Sequence, residues 1–157
     1  MALDIEEQYD SIYRYCYFKL RHAQTAEDIT QEAFLRYWER YHPLSNGLAI
    51  RYLYTIAKNL CADEYRRQKT IPLDEVISEP LEEVDLPEKL SVRAALSKLS
   101  AQEQELLLLR YVNEVPIGTI ATLFGISRFA VYRKLKSAST RFETALKQEG
   151  FYDTSET

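Results

Sequence analysis

Three prolines fall within eighteen residues near the middle of this chain, in TIPLDEVISEPLEEVDLP (70–87). Proline lacks a backbone donor and clashes with the preceding turn, so Pro72, Pro80 and Pro87 prevent one continuous helix here. The stretch has no sustained hydrophobic period and reads as a linker, with Pro87 suited to the first turn of a following helix. On either side apolar residues recur every three or four positions, and no strand-like alternation stands out. The expected fold class is all-α: two small helical domains, 1–69 and 88–149, joined by an acidic linker. The tail 150–157 is expected to be disordered and receives no role.

The N-terminal module predicts three helices. Ile5, Tyr9, Ile12, Cys16 and Leu20 mark the first. The second is expected to begin at Thr25, with Asp28 completing a capping box, and to continue through Ile29, Ala33, Phe34, Tyr37, Trp38 and Tyr41. HPLSNG (42–47) breaks it. A third helix is expected from about Ala49 to Gln68, with Ile50, Leu53, Ala57, Leu60 and Cys61 on one face. Its opposite face carries Arg51, Tyr52, Thr55, Lys58, Asn59, Ala62 and Arg66.

The C-terminal module predicts a short helix over 88–98, then a capping box at Ser100-Ala101-Gln102-Glu103 and an apolar run ended by NEVP (113–116). PIGTIATLFGISRFAVYRKL (116–135) has the spacing of a helix-turn-helix. Ala121 permits a close helix crossing, Gly125 a positive φ, Ile126 a buried turn, and Ser127 an N-cap. Val131, Leu135, Ala138, Phe142 and Leu146 are expected to point inward, and Phe129, Arg133, Lys136, Ser137 and Thr140 outward. An ordinary helical hairpin shares the turn residues; the basic face of the second helix favours DNA. Arg128 and Arg133 have the fork that reads guanine, while Lys134, Lys136 and Arg141 suit phosphates. Phe129 fits a thymine methyl or a contact within the protein equally well.

Net charge is −4, but its distribution matters more. Residues 70–90 carry seven acidic groups against Lys89 alone, whereas 128–147 carry six basic groups against Glu143 alone. Residues 51–69 add five basic groups against Asp63 and Glu64. No apolar run approaches the roughly 18 residues of a membrane span, and the acidic N-terminus matches no secretory or transit signal. Cys16 and Cys61 are too few for a disulfide framework and lack metal-ligand spacing, which points to a reducing cytoplasm. With His22 and His42 isolated, no Gly-rich phosphate loop and no Cys/His cluster, neither an enzyme, a cofactor nor a metal site is expected.

The run Ala26-Glu27-Asp28-Ile29-Thr30-Gln31-Glu32-Ala33-Phe34, followed by Tyr37-Trp38, resembles the most characteristic signature of bacterial RNA polymerase sigma factors. The likeness is to the extracytoplasmic-function (ECF) group of the sigma-70 family, which keeps two of the larger family's domains. Tyr52-Leu53-Tyr54-Thr55-Ile56-Ala57-Lys58-Asn59-Leu60, with Arg66-Arg67 after it, is similar to that group's promoter-melting helix. The helix-turn-helix resembles its C-terminal domain, and the three motifs together cover about residues 5–147. Tyr52 departs from the group's usual Trp, Thr119 from a common Glu and Tyr132 from a frequent Lys, and the loop 42–49 is short.

The resemblance implies a region 2-like domain (1–69) that docks on core polymerase and melts promoter DNA. It implies a region 4-like domain (88–149) that reads duplex. Asp28, Gln31, Glu32, Leu35, Arg36 and Trp38 would face polymerase, although core packing is an equal reading for Trp38 and Asp28 can serve as a cap alone. Asn46, Arg51, Tyr52, Thr55, Lys58, Asn59 and Arg66 would meet the melted, minus-ten-type element, Tyr52 by stacking and Asn46 beside a flipped base. Arg128, Phe129, Tyr132, Arg133, Lys134, Lys136 and Arg141 would meet the upstream, minus-thirty-five-type element. Core RNA polymerase and promoter DNA are the implied partners, with room for an anti-sigma protein; no membrane insertion and no small-molecule substrate are expected. In the family the inter-domain segment threads near the RNA path; an acidic linker also simply stays soluble and extended. Two other readings remain: a stand-alone helix-turn-helix regulator of duplex DNA, and a polymerase-docking module without promoter readout.

Overall fold

The computed structural model describes residues 4–40, 46–69 and 87–150. Every regular element among them is helical: α1 (Ile5–Leu20), α2 (Ala23–Arg40), α3 (Asn46–Lys69), α4 (Pro87–Ser97), α5 (Ala101–Leu107), α6 (Ile117–Phe124) and α7 (Arg128–Gln148). The chain divides into two compact units, Met1–Leu81 and Glu82–Thr157. The acidic stretch 70–86 and the tail beyond Gly150 lie outside the described residues.

In the first unit α1, α2 and α3 pack pairwise. The expected apolar stripe of α1 is buried at Ile12, Cys16 and Leu20, and α2 buries Ala26, Ile29, Ala33, Phe34 and Tyr37. At the centre, Tyr15 and Tyr54 are fully buried and meet edge to face, their ring centroids 5.6 Å apart. Cys16 and Cys61 are free, buried thiols. A hydrogen bond with Cys61 holds the Cys16 thiol below its ordinary range; burial opposes this and Thr30 assists it.

Helix boundaries depart from expectation in two places. α2 begins at Ala23, not Thr25. His22 Nδ1 accepts the Thr25 backbone N–H at 3.2 Å and lies 3.0 Å from the Thr25 hydroxyl, so an imidazole does the capping. Asp28 accepts from Gln24 Nε2 at 2.9 Å rather than closing a box with Thr25. α3 begins at Asn46, three residues before the expected start, so HPLSNG does not hold the chain open to Gly47.

In the second unit Ser100 and Glu103 form the expected reciprocal capping box, with bonds of 2.9 and 3.1 Å. The apolar run then widens into a π-helical turn, Leu108–Val112, closed by Asn113 N–H to Leu108 O at 2.9 Å. This turn was not expected. It buries Leu109, exposes Tyr111 and Val112, and leads through Glu114 at a left-handed φ of 54°. Gly125 ends α6 at φ 65°, ψ 35°, with Ile126 N–H reaching back to Ala121 O at 3.1 Å. Ser127 then caps α7 by accepting Ala130 N–H at 3.0 Å. Val131, Leu135, Ala138 and Leu146 are buried as expected, while Phe142 and the turn residue Ile126 are only half-buried. Phe142 still joins two small clusters, Leu99–Leu107–Ala138 and Ala95–Ala145–Leu146.

The Ser100 backbone N–H holds the Glu103 carboxyl below its ordinary range; burial opposes this, and the Ser100 hydroxyl and Arg141 assist it. A depressed carboxylate stabilises the fold above its unfolded-state pKa, and the gain is lost as pH falls through the folded value. Glu103→Ala is therefore expected to cost about 1 kcal/mol at neutral pH, as cap losses do, and progressively less in acid. Urea unfolding of both proteins across this pH range measures the narrowing.

Candidate nucleic-acid interface

Every residue expected to point outward on α7 is exposed: Phe129, Arg133, Lys136, Ser137 and Thr140. Phe129 is 72% and Tyr132 58% exposed, so neither packs into the unit that carries it. The Arg133 guanidinium lies over the Phe129 ring, 5.5 Å from its centroid. This keeps the cation on the outer surface and covers part of an otherwise bare aromatic face. Lys134 and Arg141 are drawn back towards α5 instead. Lys134 Nζ reaches Gln102 Oε1 at 3.5 Å, and Arg141 Nη1 pairs with Glu103 Oε2 at 3.2 Å. Arg128, the first residue of α7, leans over the start of α6, where its Nη2 approaches the space a side chain at Gly118 would occupy. The seven α7 residues therefore form an outward Phe129–Tyr132–Arg133–Lys136 surface flanked by cations folded back on their own unit.

The face expected to meet a melted strand is less open than its helical position implies. Arg51, Tyr52, Thr55 and Lys58 are half-buried; Asn59 and Arg66 are exposed. Thr55 returns its hydroxyl proton to Arg51 O at 2.8 Å, and Arg66 pairs with Asp63 one turn before it. Arg51 Nε is buried without a hydrogen-bond partner among the described residues. α3 packs against both α1 and α2, which narrows its solvent face. Asn46 is the first residue of α3 rather than a loop residue; the loop positions 41–45, His42 included, lie outside the described residues.

On α2, Asp28, Gln31, Leu35, Arg36 and Trp38 are exposed and Glu32 is half-buried. Arg36 Nε holds Glu32 Oε1 at 3.0 Å. Leu35 is 57% and Trp38 44% exposed. Trp38 meets Tyr37 edge to face at 5.8 Å. Sequence reasoning missed the anchor beneath this surface. Tyr9 donates to Glu27 Oε1, which also accepts Gln31 Nε2 at 3.1 Å, and the Tyr9 ring packs on Phe34 at 5.4 Å. Burial, with the Glu27 hydrogen bond and charge, pushes the Tyr9 hydroxyl up to about 12, so it remains a donor. The Tyr9 position on the apolar stripe was visible in sequence; the partner eighteen residues away was not.

Two family models match: Sigma-70 region 2 over residues 5–71 and Sigma-70, region 4 over residues 89–141. The chain is 32% identical over 142 residues to the ECF RNA polymerase sigma factor BldN of Streptomyces coelicolor, an alignment covering 80% of this chain and 52% of that protein. It is 30% identical over 164 residues to the ECF RNA polymerase sigma factor SigW of Bacillus subtilis, covering 85% and 88% respectively. It thus spans about half of the first relative and most of the second. Among solved structures, the sigma factor RpoE from the Bartonella quintana complex with the anti-sigma factor NepR superposes with a TM-score of 0.66. It is 19% identical and the match covers 92% of this chain and 97% of that one, a likeness of fold.

Exposure separates a surface role from a core role. Tyr54→Ala removes a fully buried ring and is expected to cost about 3–5 kcal/mol. Trp38→Ala, at a half-exposed position, is expected to cost under about 1 kcal/mol. Chemical denaturation of the two variants decides between them.

Proposed function

The chain belongs to the ECF group of the sigma-70 family of RNA polymerase sigma factors, and we propose that it binds core polymerase, recognises promoter DNA and promotes transcription initiation. The observation that carries this reading is the pairing of two outward surfaces that a generic helix-turn-helix protein does not need together. One is the polar-apolar face of α2 with Leu35 and Trp38 uncovered; the other is the basic-aromatic face of α7. We assign polymerase docking and promoter melting to residues 1–69, and readout of the upstream element to residues 88–149.

Asp28, Gln31, Glu32 and Arg36 supply polar groups and Leu35 and Trp38 apolar ones, a composition suited to a docking patch. Arg133 enters the major-groove side of the upstream element with Phe129 and Tyr132, and with Arg128 at the tip of the helix, while Lys134, Lys136 and Arg141 grip its backbone. Asn46, Arg51, Tyr52, Thr55, Lys58, Asn59 and Arg66 serve the opened strand, where Tyr52 offers a stacking face. Half-burial of Tyr52 suits stacking of a single base better than a run of bases.

Sigma factors are initiation factors, and RNA synthesis itself falls to the polymerase. No described helix is long and apolar enough to cross a membrane. As a subunit acting on core polymerase, the chain is assigned here to the cytoplasm. The RpoE relative was solved with an anti-sigma factor, and we assign this chain a protein regulator of that kind.

Run-off transcription on genomic fragments, with purified core polymerase and this chain, tests the whole reading. Promoter-directed transcripts that depend on the chain are expected; unchanged start sites, with no association, would end it. On a promoter so recovered, Arg133→Ala is expected to cost roughly 1–3 kcal/mol of upstream binding. Asp28→Ala combined with Trp38→Ala is expected to weaken core binding in a pull-down while the circular dichroism of the chain is unchanged.

A further inference from the structure

Gly118 stands in the first turn of α6, a helix of eight residues, where alanine is the better helix former. Its backbone does not call for glycine: the described glycines with left-handed φ are Gly125 and Gly150. What occupies the place of its missing side chain is Arg128. A Cβ at 118 would lie 2.8 Å from Arg128 Nη2 and 3.3 Å from both Cζ and Nε. The guanidinium therefore rests over Gly118, ten residues earlier in the chain, and points back from the tip of α7. Arg133 on the same helix does the opposite, lying over the exposed Phe129 ring.

We propose that Gly118 is a positioning residue for DNA recognition: lacking a side chain, it seats Arg128 across the start of α6, where the guanidinium grips a backbone phosphate instead of a base. This rests on the reading that α7 faces promoter DNA. In a helix-turn-helix the second helix enters the groove while the first crosses the sugar-phosphate backbone. A cation held over the first turn of the first helix is therefore on the phosphate side. The two arginines that looked alike in sequence divide the work, Arg133 toward base edges and Arg128 toward the backbone. An added methyl at 118 crowds only the far end of a flexible side chain, so the fold yields by turning Arg128 away.

A phosphate contact is independent of base sequence and registers in the salt dependence of binding. The test uses holoenzyme assembled from core polymerase and the full chain on a duplex promoter fragment recovered by run-off transcription. Binding is titrated against salt for wild type, Gly118→Ala, Arg128→Ala, the double variant and Arg133→Ala. Gly118→Ala and Arg128→Ala are each expected to lower the salt slope by about one. From 50 to 200 mM salt each then loses roughly threefold less affinity than wild type does. The double variant matches Arg128→Ala alone, and the melting temperature of Gly118→Ala does not fall, which a merely structural role would not produce. A wild-type slope in Gly118→Ala, or an effect that adds to that of Arg128→Ala, overturns the positioning role. If Arg133→Ala weakens the complex in that case, the DNA-facing reading of α7 stands without it. If neither Arg128→Ala nor Arg133→Ala changes binding, that reading falls as well.

Discussion

The reversal at Gly125 sets the geometry of the second unit. Its backbone is left-handed, at φ 65°, a conformation that costs a residue with a side chain about 1–2 kcal/mol. From there Ile126 closes back on Ala121, and Ser127 caps the next helix within two residues. The phase of α7 follows. Val131, Leu135 and Ala138 turn inward, so Phe129, Tyr132, Arg133 and Lys136 have only solvent or a partner to face. A slower turn would allow other phases; this one leaves little freedom.

The first unit meets a different constraint, because α2 must satisfy a core on one side and present a surface on the other. Ala26, Ile29, Thr30, Ala33, Phe34 and Tyr37 are buried, and Thr30 returns its hydroxyl proton to Ala26 O at 2.7 Å, so the polar group adds no orphan to the core. Leu35 and Trp38 lie beyond that stripe. A contiguous exposed apolar patch rimmed by polar groups marks an interaction site, whereas a single exposed apolar side chain is ordinary, so the pair counts only as a pair. Beside them Tyr9 holds Glu27, and Glu27 in turn holds Gln31.

The helical class and the turn at Gly125 and Ser127 were legible because each rests on local spacing. So was the inward face of α7, since a 3.6-residue period specifies it. What escaped were contacts made at a distance or by unusual residues. Tyr54 follows Tyr52 by two positions, yet it is fully buried because Tyr15 of α1 lies against it. The α3 basic face looked open on a helical wheel, which does not register two neighbouring helices. His22 is not among the residues that ordinarily cap helices, whereas Thr25 and Asp28 have the familiar capping spacing without forming the cap. The π-helical turn starts inside the run of four leucines at 106–109 and continues through Arg110, Tyr111 and Val112, where no glycine or proline signals a change of pitch. Gly118 announced nothing either, because its neighbour arrives ten residues later.

Glu103 performs two tasks with one carboxylate: it closes the cap of α5 and receives Arg141 from α7. That sharing gives α7 an uneven electrostatic profile. A polyanion that recruits Arg141 must strand an acid beside itself, whereas near Arg133 and Lys136 no acidic side chain is paired with either cation among the described residues. Attraction thus fades along α7 towards its C-terminal half. On the proposed reading, a phosphate held by Arg141 counts for less than one held near Arg133, and the leading end of the helix supplies most of the pull.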